Sequence, residues 1–384
     1  MNAAQLVAPV AEDILRCADE VESTRKLPPA LFEKLENAGL FSIYSPKAFG
    51  GLELPLPEAL QVVEEVARRD GSTGWTVALG FGNDVFTSCL PETSAALVLG
   101  KGSSLIAGSA GFAVQAVVVD GGYCVTGQWQ FASGASNARW VNVAAPIFEG
   151  PAPRMGPHGM PEMVMAFMKP GEVQVVDTWH VTGLRGSASH DLRADAVFVP
   201  HEMTGGFSMM GAQAVRESTL AKIPLMTLAA MMQAPPVCLG IARHALDAFT
   251  ELARTKERPP APKLSEQSPA QVALAHAEAK LRSGRAYFYE AVNELWTKTI
   301  QGDAVTRVDQ ANVRMAVLTA VESSLAAVDT AYRLAGSSAV FKNCPVERLW
   351  RDAHTAAQHV QTQDARWEDA GRVLMGLEPA NVFF

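Results

Sequence analysis

At 384 residues, with 48% hydrophobic and 19% charged side chains, the chain is long enough for two or three domains around a large core, and global disorder is excluded. Its 32 Lys+Arg against 40 Asp+Glu leave a net charge of −8 with no dense basic cluster, which excludes a nucleic-acid binder that relies on phosphate neutralisation. The cysteines Cys17, Cys89, Cys124, Cys238 and Cys344 form no C-x-x-C pair, so they offer neither a zinc ribbon nor a disulfide framework.

The segment Met1 to Glu20 carries Glu12, Asp13, Asp19 and Glu20 and lacks the basic start of a signal peptide. Residues 1–102 read as a helical domain. Leu56, Leu60, Val63 and Ala67 recur on one helical face, with Glu64, Glu65 and Arg68 on the other. Pro28-Pro29 suits a first helical turn, and Gly39 suits the stop of that helix.

Residues 103–210 change texture to short, valine-rich runs between glycines. Val117 to Val119 and Tyr123 to Val125 flank Asp120-Gly121-Gly122, a hairpin signal. Further strands are expected at Trp140 to Phe148, Met163 to Met168, Val173 to Val176 and Ala196 to Val199, giving an antiparallel β domain.

Residues 211–384 return to helices. Leu274, Leu281, Phe288, Val292 and Leu295 make a coiled-coil-like seam, and Val313, Val317, Ala320, Ser324, Ala327, Ala331 and Leu334 make a second seam of mostly small residues. Small residues on a seam let helix axes approach, as in a bundle. The most apolar stretch, Ile223 to Ile241, contains Pro224, Pro235 and Pro236, so no membrane span is expected and a cytoplasmic location is. The fold class is therefore α+β: helical domain, antiparallel β domain, C-terminal four-helix bundle.

There is no G-x-x-x-x-G-K-[ST] loop, no G-x-G-x-x-G after a strand and no G-x-S-x-G elbow. His354 and His359, five apart, would point about 140° apart on a helix, so no metal site is expected from them.

Four segments, in order, resemble the acyl-CoA dehydrogenase superfamily. They are Pro46 to Gly51, Gly127-Gln128-Trp129-Gln130-Phe131-Ala132-Ser133-Gly134 with Ala138-Arg139-Trp140, Thr182 to Asp191 ending in Phe198-Val199-Pro200, and Ala335 to Ser338 with Pro345 to Ala353. The departures are informative. Where those dehydrogenases carry a catalytic glutamate, eight residues after Asp352, this chain has Val360, and no acidic residue occurs between Glu217 and Asp247. Removal of an unactivated α-proton needs such a base. The Phe-Ala-Ser-Gly, Thr-Gly-Leu-Arg-Gly-x-x-Ser-His-Asp and Arg-Asp-x₆-His patterns instead look like the two-component flavin-dependent monooxygenases of the same fold.

That resemblance implies a reduced FMN or FAD delivered by a separate reductase, O2, a C4a-hydroperoxyflavin, hydroxylation of an aromatic or heteroaromatic molecule, and a homotetramer. It implies a catalytic Ser133 against the flavin N5 and a catalytic His359 at the reacting edge, with the backbone amides of Phe131 and Gly134 on the pyrimidine side. It further implies flavin contacts from Trp129, Ser189 and His190, and phosphate contacts from Arg258, Gly336 and Ser337. Arg351-Asp352 is expected as a structural ion pair. Trp75, Phe81 and Phe86 are expected to wall the substrate site, where Asn83 would replace a histidine common in that family. An oxidase or dehydrogenase with a non-standard base is the alternative.

Overall fold

The computed structural model describes residues 2–100, 105–156, 159–208, 211–257, 260, 262–381 and 384. The expected domain boundaries after residues 102 and 210, and Arg258, lie outside these described residues.

The N-terminal helices are α1 (Ala3–Val7), α2 (Ala11–Thr24), α3 (Pro29–Asn37), α4 (Leu56–Ala67), α5 (Gly71–Ala78), α6 (Gly82–Val85) and α7 (Glu92–Leu99). Helix α4 buries Leu56, Leu60, Val63 and Ala67, the face read from their spacing. Helix α5 begins at Asp70, whose side chain accepts the Thr73 amide at 2.7 Å and so satisfies an amide left open at a helix start.

The strands are β1 (Ile106–Ala110), β2 (Gln115–Val119), β3 (Gly122–Ala132), β4 (Trp140–Phe148), β5 (Met163–Met168), β6 (Gln174–Val176), β7 (His190–Pro200), β8 (Thr204–Ser208) and β9 (Gly211–Ala212). They run in the order β6-β7-β3-β2-β4-β5-β8-β9, with β1 beside β4. The expected β2–β3 hairpin forms around Asp120-Gly121. The sheet is mainly antiparallel, yet β1 and β2 both pair with β4 in parallel, which local turn chemistry does not announce.

The C-terminal helices are α8 (Leu225–Met232), α9 (Ala234–Thr255), α10 (Ser268–Gln301), α11 (Arg307–Ala335), α12 (Pro345–Ala356) and α13 (Ala365–Leu374). Pro235 and Pro236 sit in the first turn of α9, where a missing N–H costs nothing, so they start that helix instead of breaking it. By length and composition Leu225–Thr255 is apolar enough to cross a membrane, against the expectation from its prolines, and 83% of its most apolar window is buried inside the fold. The two expected seams on α10 and α11 bury Leu281, Phe288, Val292 and Leu295 against Val313, Val317, Ala320, Ala327 and Ala331. At Gly240 of α9 a methyl group would strike the Glu64 carbonyl of α4, so the N-terminal helices and the bundle approach backbone to backbone.

Candidate functional site

A cavity of about 1080 Å³ opens where α5, α6, the ends of β3 and β7, the sheet face and the segment after α12 converge. Its wall includes Trp75, Phe81, Phe86, Trp129, Phe131, Ser133, Ser189, His359 and Val360, all singled out from sequence. It also includes Ser187, Asn142, Met165, Trp179 and Phe207, which were not. Asn142 carried one legible signal: a carboxamide in the middle of an otherwise apolar strand.

The register of β3 against β7 builds the polar end. Ala132 pairs with His190, so Ser133 and Ser189 meet one residue further on. Their hydroxyls lie 2.6 Å apart, and Ser187 Oγ is 2.8 Å from Ser189 Oγ. The Trp75 indole donates to Ser133 Oγ at 3.0 Å, so α5 closes this row of three hydroxyls. A β-bulge between Trp129 and Ala132 frees the strand end, and Phe131 takes φ +59° with its ring 68% exposed. Leu184 and Ala188 in the facing turn also have left-handed φ, at +48° and +46°. Three such residues in two touching segments mark backbone held by its surroundings, a pattern that clusters at functional sites.

The facing turn is anchored from the bundle. The Leu184 amide donates to Asp352 Oδ1 at 2.6 Å, and burial, with Asp70 nearby, pushes that carboxyl up to about 7. The expected Arg351–Asp352 pair does not form. Arg351 instead pairs with Glu347 at 2.6 Å and Glu22 at 2.8 Å, because consecutive helical residues face different ways.

His359 follows the end of α12 and caps a short 3₁₀ turn, so it is not on a helix with His354. Its Nδ1 accepts the Gln361 amide at 3.4 Å, and its ring meets Trp75 edge-on at 5.9 Å. Behind it, Arg314 donates to Gln361 Oε1 at 2.6 Å. Burial, reinforced by the Arg314 guanidinium, pushes the imidazole down to about 4, so it is neutral at pH 7. At neutral pH the ring is therefore a neutral group that donates or accepts a hydrogen bond.

Several expected residues stand apart from the wall or have their polar groups committed elsewhere. The Gly134 amide donates to Ser187 O at 2.7 Å and is committed there. Trp129 is on the wall but buried, its indole donating to Ala144 O at 3.1 Å. His190 is buried outside the wall, with Nδ1 accepting the Trp179 amide at 3.2 Å. Burial lowers its imidazole pKa against the pull of Asp177. Asn83 is also off the wall, its Nδ2 donating to Phe41 O at 2.8 Å and Ser45 Oγ at 3.1 Å. Gly336 and Ser337 form an exposed turn after α11, away from the cavity.

No Asp, Glu, Lys or Arg is among the described wall residues. A planar, uncharged ring system suits such a wall: aromatic faces from Phe131 and Trp179, neutral hydroxyls at one end, and space beyond for a second ring.

Residues 3–92 match the acyl-CoA dehydrogenase N-terminal domain family and residues 231–364 the acyl-CoA dehydrogenase C-terminal domain family. The solved 3-HSA hydroxylase from Rhodococcus sp. RHA1 superposes with a TM-score of 0.89 at 22% identity, covering 100% of this chain and 99% of that one. The fold is that of the acyl-CoA dehydrogenases. The indole-3-acetate monooxygenase of Pseudomonas putida is 30% identical over 94% of this chain and 90% of its own length. The oxygenase component of an FADH2-dependent resorcinol hydroxylase from Rhizobium sp. is 29% identical over 97% of this chain and 94% of its own. The chain belongs to the flavin-dependent monooxygenases built on this fold, enzymes that act with reduced flavin and O2.

Proposed function

We propose that this chain is the oxygenase component of a two-component system that hydroxylates an aromatic or heteroaromatic ring, in the class of the indole and phenol substrates named for its relatives. The observation that carries this reading is a roomy aromatic wall without a carboxylate, in which the dehydrogenase base position is Val360 and the neighbouring His359 is neutral. Proton abstraction from an unactivated carbon finds no carboxylate base among the described wall residues. The same absence counts against the oxidase alternative.

Ser133, Ser189, Phe131 and Trp129 would hold the flavin ring, with the Ser133 hydroxyl at its N5 edge. When bound, reduced flavin supplies the two electrons that let O2 divide between a ring hydroxyl and water. The protein's part is to bind, orient and keep water out. The Trp75–Ser133–Ser189–Ser187 row holds the Ser133 oxygen in place with the Trp75 N–H on one lone pair, so Ser133 Oγ can offer a proton or its remaining lone pair. His359 lines the cavity and would orient the substrate's polar group. Trp75, Phe81 and Phe86 pack against the ring that is to be hydroxylated.

The flavin is FMN or FAD, delivered by diffusion from a separate reductase. A cytoplasmic homotetramer fits the exposed Val340 and Phe341 just after α11. In that assembly Arg258, Gly336 and Ser337 would serve the flavin phosphates of a neighbouring subunit. Supplying the protein with a generic flavin reductase and a panel of indoles, phenols and thiophenes tests the reading. Hydroxylated product from at least one ring supports it, and hydrogen peroxide alone from every ring counts against it.

A further inference from the structure

The wall of the cavity has two chemically distinct ends. The serine row lies at one. The other includes the sheet face and the residues flanking α6, where Phe81 and Phe86 are tilted with centroids 5.7 Å apart and Phe86 meets Phe207 edge to face at 6.2 Å. Into the sheet side of this cavity the β4 strand places Asn142, which is 2% exposed. Its strand neighbours are Gly108 on β1 and Phe167 on β5. The carboxamide lies across Gly108 so closely that a methyl group there would overlap Asn142 Oδ1. Gly108 therefore makes room for this side chain.

The Asn142 Nδ2 is buried and has no hydrogen-bond partner among the described residues. A buried amide left unpaired is costly, and a leucine of similar size would avoid the cost. A ligand that supplies an acceptor removes it. A neutral acceptor is favoured, because burying a carboxylate is costly and no described wall residue carries a positive charge to meet it; the Arg314 guanidinium is spent on Gln361.

Resting on the proposed oxygenase reading, we infer that Asn142 is a specificity-determining residue that selects an uncharged aromatic substrate carrying a hydroxyl or carbonyl oxygen, and that the site discriminates against carboxylate-bearing rings. The chain thereby differs in substrate class from the relative named for indole-3-acetate, although it shares its fold and reaction type.

Isothermal titration calorimetry of the full-length protein with oxidised FMN present, at pH 7.5, separates the cases with three matched probes: naphthalene, 2-naphthol and 2-naphthoate. The expected order is 2-naphthol about tenfold tighter than naphthalene, with 2-naphthoate weakest, the tenfold being the usual value of one buried hydrogen bond. In Asn142→Leu the preference for 2-naphthol over naphthalene should disappear while FMN affinity is unchanged. If that variant does not fold, Asn142→Ala provides the same comparison. Binding of 2-naphthoate as tightly as 2-naphthol, or a preference that survives in the variants, overturns the inference alone. Binding of FMN with none of the three rings overturns the aromatic-substrate reading and the inference with it.

Discussion

The indole Nε1 of Trp75 donates to the Oγ of Ser133 at 3.0 Å, tying helix α5 to the end of strand β3 across a cavity that neither element encloses alone. The bond leaves the Ser133 proton pointing away from Trp75; the Ser189 hydroxyl lies 2.6 Å off, and either of the two serines can donate to the other. A helix from the first third of the chain thus sets the direction of a hydroxyl in the β sheet.

Ser133→Ala removes the acceptor of a buried indole N–H and a partner of Ser189. The loss should lower stability by about 1–2 kcal/mol, read as a lower denaturant midpoint with an unchanged m value. Hydroxylated product per flavin consumed should fall on the order of tenfold, with hydrogen peroxide making up the difference. An unchanged product yield would remove Ser133 from the site.

His359 is held neutral, and the sign of its linkage follows. Its native pKa of about 4 lies below the 6.5 of a free imidazole. Between those values the unfolded chain binds the extra proton, so stability declines as pH falls from 6.5 towards 4 and gains nothing from this group above 6.5. Burial pushes His244 down to about 4 as well, so an NMR titration of ring-labelled histidine should show at least two resonances neutral at pH 5.5, of which one is lost in His359→Asn. Because the neutral ring orients substrate, His359→Ala should reduce turnover by roughly 10²-fold and leave flavin binding intact, as measured by fluorescence titration.

Asp352 carries the opposite linkage. Its buried carboxyl is raised from 3.8 to about 7, so the native state holds a proton that the unfolded chain has lost between those values, and stability declines as pH rises through that window. Asp352→Asn keeps an oxygen for the Leu184 amide and cannot ionise. Relative to the unmodified protein its melting temperature should therefore improve as pH goes from 5 to 8. A constant difference across that range would contradict the assignment.

At Gly134 the backbone has φ +74°, and an added methyl would come within 3.1 Å of Leu105 and 3.2 Å of Leu79. Gly134→Ala should cost about 1–2 kcal/mol from the left-handed conformation alone. Because the residue adjoins Ser133, flavin affinity should weaken along with thermal stability.

Much of the fold was readable because period and turn chemistry are local. The apolar run Trp140 to Phe148 is β4, Met163 to Met168 is β5, and the face of Leu56, Leu60, Val63 and Ala67 is the buried face of α4. The parallel pairing of β1 and β2 with β4 was not readable, since it joins strands that no tight turn connects. In the site, motif segments located Ser133, Ser189 and His359. Asn83 misled because a carboxamide on a helical segment gives no sign of its direction, and it packs inward against Phe41 and Ser45. Ser187 lies inside the same motif segment as Ser189 at an unspecified position of the pattern, whereas Trp179, Met165 and Phe207 reach the wall through tertiary packing alone. His359 lies on the wall, but its neutrality comes first from burial and then from Arg314, forty-five residues away on α11, neither of which a local motif shows.

The central claim is that this cavity directs one atom of dioxygen into an organic ring. Incubating the protein with reduced FMN, ¹⁸O2 and a substrate ring, then analysing the product by mass spectrometry, tests it most directly. The account predicts one ¹⁸O atom in the product hydroxyl and the other in water. A product dehydrogenated without added oxygen, or hydroxylated with oxygen from water, would contradict it.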